Sequence, residues 1–126
     1  MKLKTGTIYI HYDFPIIFSA VNDEGSVFIC LYAEEAKSSL RYLCREVSSS
    51  LLEDLENGRK DIRSIFEKPG KLYSLSLNAQ SEEPIEAVET TEDITPILPE
   101  RDLYIGNRES KVSKPIDIPS YSYASA

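Results

Sequence analysis

"YDFPIIFSAVNDEGSVFICLYAEE", residues 12–35, is the stretch that decides the fold. Within it, "IIFSAV" and "SVFICLY" are two runs of β-branched and aromatic residues, and "NDEG" separates them. Asn22 and Asp23 favour turn positions, and Gly25 accepts the left-handed conformation of a bulged type I hairpin. Both faces of the two runs are apolar: Ile16, Phe18 and Ala20 against Ile17 and Val21, then Val27, Ile29 and Leu31 against Phe28, Cys30 and Tyr32. Strands apolar on both sides lie central in a sheet or are covered twice. The stretch therefore predicts a hairpin through the middle of a sheet.

Working outward toward the N-terminus, "GTIYIHY" alternates Ile8, Ile10 and Tyr12 with Thr7, Tyr9 and His11, a strand signature. Asp13 and Phe14 then lead into Pro15, which disfavours helix. In the other direction "AEEAKSS" reads as a connector. "LRYLCREV" follows as an outer strand with Leu40, Tyr42 and Cys44 on one face. In "SSSLLEDLENG", Ser48 is a good N-cap, Leu51, Leu52 and Leu55 form a stripe, and Gly58 is a stop. "DIRSIFEKPG" repeats the pattern, with Asp61 as cap and Pro69-Gly70 as terminator, before "KLYSLSL" restores alternation.

Two helices this short do not hold in water unless they pack on something. The expected fold is thus α+β: an antiparallel sheet of about five strands with two short helices, about 49–57 and 61–68, on one face. The expected organisation is a compact domain over residues 1–80, an acidic segment over 81–105 partly docked on it, and a flexible tail over 106–126. Within the acidic segment, "IEAVET" is a candidate further strand and "RDLYI" a candidate docking piece.

The net charge is −7, and it is unevenly spread. Residues 1–80 hold 10 basic and 11 acidic side chains, whereas residues 81–102 hold eight acids against Arg101 alone. A nearly neutral body with one acidic segment argues against direct nucleic-acid binding, which needs clustered Lys and Arg. No apolar run reaches the roughly 18 residues of a membrane span, and the N-terminus lacks a signal-peptide pattern, so a cytoplasmic location is expected. Cys30 and Cys44 are too few and too far apart for a zinc knuckle or a CxxC pair. They read as buried thiols.

The order of motifs resembles a small bacterial domain family of unknown function. The likeness lies in "YDFPIIF", "NDEG" before "VFICLY", "YLCREVS", "LLEDLENGRKDIRSIFEKPG" and "KLYSL", and spans about residues 9–78. It leaves the acidic segment and tail outside, and implies the layout of the fold without implying an activity or site residues.

Several groups are candidates for function. His11 and Asp13 share a strand face, and a Cys–His–Asp enzyme built with Cys30 or Cys44 is the least favoured reading. No cofactor and no metal site is expected. Arg59, Lys60 and Arg63 are a candidate contact for a small anionic or nucleotide-like ligand. Tyr9, Tyr12 and Tyr42 are candidates for a contact surface, since tyrosine suits sites with one dry and one wet end. Glu89, Glu92 and Asp93 form a candidate docking strip for a basic partner. The reading these favour is a non-enzymatic interaction or oligomerisation module, an accessory factor of a bacterium or phage that binds a protein partner or itself.

Overall fold

The structure is a computed structural model, and it describes residues 1–105. The tail expected over 106–126 lies outside the described residues. Six strands follow one another: β1 (Lys2–Tyr12), β2 (Phe14–Val21), β3 (Val27–Ala36), β4 (Ser39–Val47), β5 (Leu72–Leu77) and β6 (Ile85–Thr90). Helices α1 (Ser49–Glu56) and α2 (Ile62–Glu67) lie between β4 and β5, and a 3-10 turn spans Thr95–Ile97. Each strand pairs antiparallel with the next, and β6 returns to β1, closing a barrel. The α+β character, the antiparallel sheet and the two short helices match the expectation. The strand count is six rather than five, because Ile85–Thr90 joins the sheet along β5 from Leu72↔Thr90 to Leu75↔Ala87.

The hairpin forms as its sequence dictates. Ile17–Val21 pairs with Val27–Leu31, and Gly25 sits at φ 84°. The Asn22 side chain accepts the amides of Glu24 (3.0 Å) and Ser26 (2.9 Å), which ties the loop. The two apolar faces now have separate destinations. Phe18, Ala20, Phe28 and Cys30 point into the barrel with Leu3, Leu40, Tyr42, Cys44, Leu75 and Ala87. Ile17, Ile29 and Leu31 point outward and are covered by Leu55, Ile62, Ile65 and Phe66 of the helices, with Ile94 and Ile105. Burying each of those large side chains contributes about 1.5–3 kcal/mol, which is what holds two single-turn-scale helices in place.

Both helix starts are capped as their sequences predict. Ser48 accepts the Leu51 amide at 3.1 Å and Asp61 accepts the Ser64 amide at 3.0 Å. Two local expectations change. "AEEAKSS" is not a loose connector, because β3 and β4 pair through Ala36↔Ser39 and leave only a two-residue turn. "LRYLCREV" is not an outer strand either, since β4 lies between β3 and β5. A closed barrel needs no outer strand.

The alternation of β1 is broken rather than strict. Ile8 joins the barrel interior, while Tyr9 and Ile10 both pack under the helical layer. Three register shifts against β2 cause this. At Gly6 an added Cβ would stand 2.7 Å from the Ser19 hydroxyl oxygen, so only glycine admits that close approach. Ser19 uses the space to accept the Thr7 amide at 2.9 Å. A bulge bends its strand and increases its twist.

Candidate functional site

The barrel closes along a seam between β1 and β6. β1 is eleven residues long, yet its ladder with β6 consists of Lys2↔Glu86 and Leu3↔Ile85, extended by the Ala87 amide on the Met1 carbonyl. Past Leu3, β1 stays paired with β2 but no longer with β6. The Glu83 carboxylate takes the place of a strand there, accepting both the amide and the hydroxyl of Thr5. Beside this edge opens a cleft of about 270 Å³. Ile8, Phe18, Leu77 and Ile85 give it an apolar floor continuous with the barrel interior, and Thr5, Ser81 and Glu83 give it a polar rim. A strand edge that β6 leaves to a single carboxylate, beside an apolar slot, is suited to main-chain hydrogen bonding with side-chain selection.

The residues singled out from sequence are distributed over several places. Tyr12 is 77% exposed at the tip of the β1–β2 turn, where Asp13 adopts φ 66°. Tyr9 is half-buried and its hydroxyl donates to Glu56 of α1; burial, then that bond, pushes its pKa well up. Tyr42 is a correction: it is fully buried inside the barrel, its hydroxyl donating to the Pro15 carbonyl at 2.6 Å. Tyr42 shares its face with Leu40 and Cys44 as the alternation predicts, and closure of the sheet turns that face inward.

The Arg59–Lys60–Arg63 cluster is largely neutralised within the fold. Arg59 pairs with Asp54 (2.9 Å) and Glu53 (3.6 Å), and Arg63 pairs with Glu67 (2.7 Å) and donates to the Pro99 carbonyl. Lys60 is exposed between the helices. Of the acidic trio, Glu92 grips Arg41 with two bonds of 2.7 and 3.0 Å, and Asp93 accepts the Thr95 amide. Those bonds hold both carboxyls below the usual range. Glu89 is exposed on β6, opposite Tyr73.

Cys30 and Cys44 face each other across β3 and β4 inside the barrel, both closed to solvent. Burial, and then the neighbouring thiol, push the Cys30 pKa well up, which makes it a poor nucleophile. Among the described residues no group of three or more His, Cys, Asp and Glu is placed to hold a metal ion, and no helix is long and apolar enough to cross a membrane.

A second cleft, of about 370 Å³, lies between β4 and the helices. Arg45, Lys68 and Lys71 line it, and none was singled out from sequence. They are scattered along the chain, so linear clustering could not reveal them. The one available signal was Arg45 itself, which shares the outward face of β4 with Arg41 and Leu43.

The fold defines the class: a small closed antiparallel barrel whose outer face carries a two-helix layer. The chain belongs to a family of unknown function (DUF6575), whose model matches residues 1–124. Membership in an uncharacterised family is thus shown, and the match reaches well past residues 9–78 to take in the acidic segment. No curated protein and no solved structure matches the chain.

Proposed function

We propose that this protein is a non-enzymatic binding module that accepts an extended polypeptide segment along β1 beyond Leu3, the incoming strand displacing the Glu83 carboxylate from Thr5. One observation carries the reading: a strand of eleven residues whose ladder with β6 stops at Leu3, beside an apolar cleft. The incoming strand hydrogen-bonds to the β1 main chain and places an apolar side chain on Ile8, Phe18 and Ile85. Exposed Glu82 and Glu83 favour basic residues beside that side chain, while Glu86 is already paired with the N-terminal amine and Lys2. The strand comes from a protein partner or from a second copy of this chain. The closed thiols of Cys30 and Cys44 support binding rather than nucleophilic chemistry.

The test is a reversible staple. The Glu83 carboxylate reaches the Thr5 hydroxyl, so a Thr5→Cys/Glu83→Cys variant brings two thiols to the same seam, and closure of the bridge is verified by free-thiol assay before titration. Extended peptides selected by display on the reduced variant are then titrated calorimetrically before and after oxidation. Binding that disappears on oxidation and returns on reduction supports the reading. If a second copy is the partner, sedimentation shows a dimer that dissociates on oxidation. Peptide binding untouched by the staple, with a monomer throughout, refutes it.

A further inference from the structure

Arg45, Lys68 and Lys71 line one cleft between β4, the start of α1 and the loop after α2. Their charges are unusual in this molecule. Arg41, Arg59, Arg63 and Arg101 all pair with carboxylates, whereas Arg45, among the described residues, pairs with none. Its Nη1 donates instead to two carbonyls at the end of α2, that of Phe66 (2.8 Å) and that of Lys68. These bonds fix the Lys68–Lys71 loop to β4, with both lysines on its exposed surface. Neither lysine has an ion pair among the described residues. Glu46 is the one acid on this cleft; Glu67, Glu89, Glu92 and Asp93 line the adjoining hollow on the β6 side of the loop, which Arg45, Lys68 and Lys71 also border.

Three cationic side chains line this cleft against one acid, Glu46, and their summed field favours an anion seated among them. The cleft is also larger than a bare anion needs. Val47, Leu51 and Ile65 provide apolar wall, and Tyr73, whose ring packs edge-on against Phe28 (5.7 Å between centroids), borders it. From this we infer that the cleft is a binding site for a small phosphate monoester. Lys68 and Lys71 contact the phosphate, and its organic body lies on Val47 and Leu51. Arg45 is a positioning residue that anchors the loop and adds to the field. The site is independent of the β1 edge, and its failure would leave the strand-addition reading untouched.

Amide NMR spectra of the full chain, titrated at constant ionic strength, test the site with three probes: inorganic phosphate, a hexose phosphate and a nucleoside monophosphate. The expected result is a saturable shift confined to Lys68–Lys71, Val47, Ser48, Leu51 and Tyr73, with a dissociation constant of about 1 mM or tighter for at least one ester. A Lys68→Gln/Lys71→Gln variant, altered only at exposed positions, weakens that binding by about tenfold or more. An Arg59→Ala/Arg63→Ala variant leaves it unchanged. The ranking of the two esters identifies the organic body. No saturable shift with any probe overturns the proposal, as does inorganic phosphate binding as tightly as both esters, or binding that the double lysine variant leaves intact.

Discussion

Replacing Tyr42 by Phe deletes one hydroxyl and leaves the ring. The ring is fully buried, edge-on to Phe18 (5.0 Å between centroids, 71°) and to Tyr32 (5.9 Å, 69°). Those ring contacts survive the substitution, so the change reads the hydroxyl alone, its bond to the Pro15 carbonyl included. A net intramolecular hydrogen bond contributes about 0.5–1.5 kcal/mol, and a buried acceptor left without its donor raises the loss to about 1–3 kcal/mol. Pro15 is itself buried, so the larger figure applies. At roughly 4 °C per kcal/mol for a domain of this size, Tm falls by roughly 4–12 °C. In urea the midpoint falls while the slope stays constant, because the area exposed on unfolding hardly changes. Tyr12→Phe is the matched control: Tyr12 is 77% exposed, and its loss stays within about 0.5 kcal/mol. If the two variants cost the same, Tyr42 faces water and the inward turn of the β4 face is wrong.

Three further outcomes follow from the same geometry. Gly6→Ala drives a methyl onto the Ser19 hydroxyl oxygen and costs about 1–3 kcal/mol in urea unfolding, and adding Ser19→Gly recovers part of the loss. Asp61 caps α2 and accepts the Asp102 amide at 2.8 Å; burial alone would raise its carboxyl, but bonds from Ser64 and Asp102 and the charge of Arg101 hold it below the ordinary range. A depressed carboxyl stabilises above its unfolded pKa and loses that contribution as pH falls through the folded value. Acid unfolding below about pH 4 should therefore flatten in Asp61→Asn, which is already less stable at neutral pH. An aromatic disulfide reagent should find no reactive thiol in the native chain and two after denaturation, and rapid native labelling would contradict the closed barrel interior.

Local chemistry was enough to specify the hairpin, the caps and the helices. Gly25 in its turn, Ser48 and Asp61 as N-caps, and the Leu51–Leu55 and Ile62–Phe66 stripes all act over a few residues, so the interactions that position them are written in adjacent letters. The two apolar faces of "IIFSAV" and "SVFICLY" likewise stated that this hairpin would be covered on both sides. What covers it was not legible. One face meets the barrel interior because Leu3 pairs with Ile85, and the other meets helices carried between β4 and β5. That closure decided that Tyr42 is core, that "IEAVET" is a wall of the barrel, and that Glu92 serves Arg41 rather than a free acidic strip. Both candidate sites belong to this second category. The seam lies where the β1–β6 ladder ends at Leu3, just before the register shift of β1 against β2 around Gly6, and the basic cleft exists because packing gathers Arg45, Lys68 and Lys71. Periodicity records which residues must leave water, whereas the partner each one meets depends on chain closure over long separations, which short-range pattern does not encode.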